Sequence, residues 1–167
     1  MGLVFSFPNP VNDVAARTVA TGVILMALVA IVFRQPWLTI PLAYGFVARV
    51  LTGPRLSPLG QFATRVVAPR LPRWAKFVPG PPKRFAQAMG AAFSLTALAL
   101  WLGGFTTAAY VTLGLLIIPA TLEAALGYCV GCQLFRVGMR IGWVPESVCE
   151  ECADIWGPAA TARRSAA

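Results

Sequence analysis

Every cysteine of the chain falls within "GYCVGCQLFRVGMRIGWVPESVCEEC", as two C-x-x-C pairs, Cys129/Cys132 and Cys149/Cys152, separated by sixteen residues. Three chemistries suit that pattern. Four thiolates at C-x₂-C-x₁₆-C-x₂-C lie inside the spacing window of a tetrahedral zinc site. Closure is feasible, since a helix from Cys132 to Gly142 runs out about 15 Å and an extended return from Trp143 to Cys149 covers about 20 Å. Zn²⁺ is the candidate metal, and no other cofactor is implied. Two features count against it: "CVGC" continues a helical pattern, and "CEEC" adds two negative charges beside four thiolates.

The second chemistry is a dithiol relay. On a helix, Cys129 and Cys132 share a face with Arg136, and Arg140 continues it. Positive charge stabilises a thiolate and makes the dithiol more oxidising, whereas Glu150 and Glu151 between the other cysteines oppose ionisation. Electrons are then expected to pass from Cys149/Cys152, the resolving pair, to Cys129/Cys132, the reactive pair. The C-terminal dipole of a helix running through Cys132 works against the first half of this scheme. The third chemistry is sulfur handling, in which a cysteine carries a persulfide for a partner. Inert buried thiols are the bland alternative, disfavoured because all four cysteines sit in two close pairs.

The elements that position these thiols are membrane helices. The chain of 167 residues is 57% hydrophobic and 12% charged, with a mean hydropathy of +0.70. A soluble domain carries roughly a quarter charged residues, and here the apolar blocks are long enough to cross a bilayer. There is no histidine, which excludes histidine-ligated haem, histidine-containing zinc sites and histidine-based triads. The net charge of +8 crowds between spans, as the positive-inside rule requires, so no nucleic-acid partner is expected. "MGLVFSFPNPVND" lacks a basic n-region and is not expected to be a cleaved signal.

Four spans are predicted, at about 12–33, 37–52, 85–103 and 106–132, the last with a helical extension. They form two hairpins, turning at Arg34–Gln35–Pro36 and at Gly103–Gly104. Residues 52–84 join the hairpins as a Pro-rich stretch that is basic and free of acids. This loop belongs in the cytoplasm, and within it Leu59, Phe62 and Val66 mark one face of a short interfacial helix ended by Pro69, resting on anionic lipid. The fold class is therefore an all-α membrane protein, with a four-helix domain over 1–143 and a cytoplasmic tail over 144–167 that holds the second C-x-x-C. Glu123 and Arg49 are the polar groups inside spans, and an intramembrane carboxylate is a functional suspect by default. Arg49 and Arg17 are its candidate partners. On a continuous helix Glu123 faces away from Cys129, at about 240° net.

Several motifs together, "FPNPVN", "GPRLSPL", "VPGPPKRFAQ", "LGYCVGC" and "VPESVCEEC", resemble a bacterial membrane family catalogued as domain of unknown function 4395. The resemblance covers roughly residues 7 to 153, with the motifs in the same order. It implies a multi-pass protein of the bacterial inner membrane, and four spans with the basic loop inside put both termini in the cytoplasm. It also implies a thioredoxin-like or rhodanese-like soluble partner, and with that thiol or sulfur chemistry. The function expected is a thiol–disulfide or sulfur relay at the cytoplasmic face. The alternative is a non-catalytic subunit of a larger complex, alongside other membrane subunits, whose four cysteines bind structural zinc.

Overall fold

The computed structural model describes residues 9–72 and 76–145; the second thiol pair, Cys149 and Cys152, with Glu150 and Glu151, lies outside them. Asn12 opens the first long helix, α1 (Asp13–Val32), by accepting the Val14 N–H on its side chain at 2.9 Å. This is the ordinary use of asparagine at an N-cap, and it places the helix start where the span expected from about residue 12 begins. A turn through Arg34, which adopts a positive φ of 52°, and a 3₁₀ turn at Pro36–Leu38 lead into α2 (Thr39–Thr52). The connecting stretch then forms α3 (Pro58–Phe62), a π-helical turn (Ala63–Val67) and α4 (Ala68–Arg70). Next come α5 (Gly80–Leu102) and α6 (Thr106–Thr121), the latter running on through a π-helical turn to Leu126. The last helix is α7 (Val130–Arg140).

Helix α2 packs on α5, α5 on α6, α6 on α1, and α1 closes the ring on α2. The interior is rich in small residues: Ala27, Ala97 and Ala109 are fully enclosed beside Val23 and Leu113, while Leu25, Leu115 and Ile118 face outward. A water-soluble bundle would invert that choice. In lipid there is no hydrophobic force between helices, so small residues that let backbones approach take the contacts and leucines meet the acyl chains. Three helices, Asp13–Val32, Gly80–Leu102 and Thr106–Leu126, are long and apolar enough to cross a membrane. At 14 residues, α2 spans about 21 Å, short of the roughly 30 Å of a hydrocarbon core.

The chain entry, the basic stretch and the end of α6 meet at one end of the bundle. A two-residue antiparallel pair, β1 (Val11–Asn12) with β2 (Phe77–Val78), joins the start of α1 to the end of the basic stretch. Asp13 N–H donates to the Lys76 carbonyl at 2.8 Å, and Gly80 N–H to Asn9 Oδ1 at 2.8 Å. Arg84 donates to the Val50 carbonyl at 3.0 Å, bringing the end of α2 to the same place. The stretch from 58 to 70 is packed on the bundle. Ala63 is fully buried in the core and Leu59 packs against it, whereas Phe62 is 53% exposed. The expected single apolar face of Leu59, Phe62 and Val66 is thus split. The helical stretch ends at Arg70, one residue beyond Pro69.

Candidate functional site

The helix expected to run through Cys132 ends six residues earlier. Gly127 adopts a left-handed conformation, φ 66° and ψ 16°, and its N–H closes on the Glu123 carbonyl at 3.0 Å. Only glycine takes that conformation without a Cβ penalty, which is why it so often stands one residue past a helix. Cys129 then starts α7 as its N-cap, in an extended conformation at φ −88° and ψ 101°, and its sulfur accepts the Cys132 N–H at 3.3 Å. The two sulfurs are bonded, with the Cα atoms 5.2 Å apart. The dipole acting on this pair is therefore the favourable N-terminal end of α7. The opposing C-terminal end of the fourth helix, expected from sequence, is not the one it meets.

Cys129 is buried, at 8% exposed, and Cys132 is more open. Gly131 between them sets how closely α7 can lie on α5, since a Cβ there would come 2.6 Å from both Cα and Cβ of Ala86. Phe135 is buried one turn further on, against Phe85 at a ring-centroid distance of 5.8 Å. Arg136 follows Cys132 by one turn, Arg140 by two, and both are exposed. The remaining exposed stripe of α7 is apolar: Leu134, Val137 and Ile141, followed by Trp143 at 84% exposure.

A buried charge cluster lies beside the pair. Lys83 Nζ is 2.6 Å from Glu123 Oε1 and 3.4 Å from Asp13 Oδ1, with all three side chains largely enclosed. Arg17 caps the end of α6, donating from Nε to the Ala124 carbonyl at 3.1 Å and from Nη2 to the Ala125 carbonyl at 2.7 Å. A cavity of about 60 Å³ between α1, α5 and α6 has Glu123, Cys129 and Gly131 in its wall, among residues such as Val19, Phe46 and Leu116. Glu123 and Cys129 therefore border one space. The helical-wheel separation of the two does not apply, because the chain reverses at Gly127.

Neither arginine expected as partner of Glu123 forms an ion pair with it; its partner is Lys83. In the sequence, Lys83 sits in "VPGPPKR" and passes for one more cation of the basic loop. What signals it is its place four residues into α5 beside the only two acids of residues 1–145. Arg49 is 5% exposed and donates from Nε to Gln87 Oε1 at 2.9 Å and from Nη1 to Ser57 Oγ at 2.9 Å. Its guanidinium also lies 4.6 Å from the centre of the Phe46 ring. Among the described residues no group of three or more histidine, cysteine, aspartate or glutamate side chains could hold a metal ion.

The family described as Domain of unknown function (DUF4395) matches residues 11–140, most of the chain, and the chain belongs to it. No curated protein and no solved structure matches.

Proposed function

We propose that this DUF4395 member is a membrane-embedded thiol–disulfide relay. Its working pair is Cys129/Cys132, which exchanges with Cys149/Cys152 and with a soluble thioredoxin-like or rhodanese-like partner. One observation carries the reading: a bonded C-x-x-C at the first turn of α7, with Cys129 as N-cap. A thiolate at a helix N-terminus is stabilised by the amide it accepts from and by the helix dipole, as in reactive dithiols generally.

The greater exposure of Cys132 supports one order of events. A thiolate of the donor dithiol attacks Cys132 Sγ, the more open sulfur, and the Cys129–Cys132 bond breaks. Cys129 leaves as a thiolate, held by the Cys132 N–H. The donor's second thiolate then attacks the mixed disulfide, releasing Cys132 and leaving the donor oxidised by two electrons. The donor's two protons end on the pair, which is now a dithiol. Arg136, one turn from Cys132, favours the anionic forms.

The setting we propose is a bacterial inner membrane, with α2 and its preceding 3₁₀ turn completing a fourth crossing. The thiol end of the bundle then faces the cytoplasm. At that end lie Arg55, Arg65, Arg70, Lys76, Arg84 and Arg136, against Arg34 alone at the opposite turns, which is the asymmetry that orients membrane proteins. Exposed Phe62 on the basic stretch suits contact with anionic lipid.

A zinc-pinned scaffold subunit is the second reading, favoured by the C-x₂-C-x₁₆-C-x₂-C spacing. A disulfide has no thiolate to give to zinc, so the two readings separate cleanly. Protein purified in detergent without air is weighed intact, before and after alkylation. A relay shows a loss of about 2 Da per oxidised pair that reductant reverses, and it tolerates chelator. A zinc-sized increment, with thiols blocked until a chelator is added, sinks the relay and leaves the scaffold.

A further inference from the structure

Arg49 has a place in the fold that the thiol chemistry does not use. Burial of a guanidinium normally comes with a carboxylate, because an uncompensated charge in a low-dielectric interior is costly. Residues 1–145 contain two acids, Asp13 and Glu123, and both are engaged by Lys83. Glu123 acts on Arg49 through space only. Among the described residues both hydrogen-bond partners of the Arg49 side chain are neutral: Gln87 Oε1 takes Nε and Ser57 Oγ takes Nη1. Nη2 has no hydrogen-bond partner among the described residues.

The side chain borders a cavity of about 230 Å³, walled by the start of α1, the end of α2, the π-helical turn and the start of α5. An apolar cavity of about 150 Å³ already admits benzene, so this space is large enough for a small ligand. It is also lined for one. Gln87 accepts from Arg49 through Oε1, which fixes its other terminal atom as an NH₂ donor; Lys83, Asn12 and Thr64 complete the polar lining. Thr64 Oγ1 is already committed to the Gly60 carbonyl at 2.8 Å, and Lys83 to its two carboxylates. The uncommitted donors among the lining residues thus belong to Arg49, Gln87 and Asn12, and no acid lines the cavity.

We infer that this cavity is a binding site for a phosphate-type oxyanion, recognised by Arg49 and oriented by Gln87. The site lies at the end of the bundle that carries the basic stretch, beside Pro54 and exposed Phe77. Both the headgroup of an anionic phospholipid and a free phosphate present that chemistry. Guanidinium is suited to either because its donors match the oxyanion's geometry and its charge is never lost.

The full-length protein, stripped of lipid in a non-ionic detergent, is titrated separately with phosphatidylglycerol, phosphatidylcholine and inorganic phosphate while its thermal unfolding midpoint is followed. Saturable stabilisation by phosphatidylglycerol with none by phosphatidylcholine or phosphate assigns the site to a lipid headgroup. Saturable stabilisation by phosphate assigns it to a free anion. In either case Arg49→Gln weakens the apparent affinity at least tenfold, the scale of one lost charge-assisted hydrogen bond. Arg34→Gln, an exposed cation at the opposite turns and away from the cavity, leaves the affinity unchanged. Should Arg49→Gln fail to fold, Gln87→Ala carries the same test, with a smaller loss expected. The inference is overturned if neither phosphatidylglycerol nor phosphate stabilises the protein. It is equally overturned if the cavity variants respond as the parent does, or if Arg34→Gln loses as much as they do.

Discussion

At the scale of single residues, exposure separates two cysteines that the sequence presents as equivalents. If Cys132 is the sulfur that meets the donor, Cys129 is its leaving group, and in the reverse exchange with an oxidised partner Cys129 is the one that resolves the mixed disulfide on Cys132. Cys129→Ser should then accumulate partner-linked adducts on Cys132, and Cys132→Ser should accumulate far fewer; non-reducing gels with mass mapping of the linked peptide give the answer. The reverse pattern would reassign the attack to Cys129. A second residue-scale expectation concerns Lys83, which serves two carboxylates at once. Lys83→Met leaves both enclosed and unpaired, and should cost about 3 kcal/mol or more in unfolding free energy. Glu123→Gln should cost less, because Asp13 stays with the lysine. Thermal unfolding in one detergent ranks the two. That triad was only half legible in the sequence. Glu123 stood out as a lone acid in an apolar run, but its partner lies forty positions away, in a segment whose prolines and neighbouring cations read as loop.

At the scale of elements, the decisive feature is the reversal at Gly127. The apolar run "LEAALGYCVGC" gives no periodic reason for a helix to stop, so hydropathy alone carries the span through Cys132. The break was nonetheless written there as a glycine one residue past the last helical position. What the sequence hid was the restart, because cysteine is not among the usual N-cap residues. The hairpin turns, by contrast, were plain from Arg34–Gln35–Pro36 and Gly103–Gly104. Close approach of α7 to α5 depends on Gly131, so Gly131→Ala should destabilise the protein by about 1–3 kcal/mol. It should also speed alkylation of Cys129 in the reduced protein by lifting the helix from α5. Gly114→Ala, where a Cβ meets nothing within 4 Å, should leave both readings near the parent's. Equal effects from the two substitutions would argue against the packing account.

For the whole molecule, the arrangement puts chain entry, basic stretch, charge triad and thiol pair at one end of the bundle, and two short turns at the other. Labelling in a cysteine-free background tests which end is cytoplasmic: Arg70→Cys should react only with a membrane-permeant reagent, and Arg34→Cys with an impermeant one added from outside. Opposite labelling would put the thiols on the oxidising side. The bundle itself was legible because lipid imposes long apolar runs and small contact residues. The short α2 was harder, since the first two residues of its run "WLTIPLAYGFVARVL" belong to the 3₁₀ turn Pro36–Leu38 and the helix starts only at Thr39. The clasp between Arg17 and the carbonyls of Ala124 and Ala125 has a bearing on how such a chain is made. More than a hundred residues separate its two halves, so α1 enters the bilayer with its first charged turn unanswered. It must wait there for α6 to be synthesised. The end of α6, and with it the reversal that leads into the thiol pair, can be fastened to α1 only at that late moment.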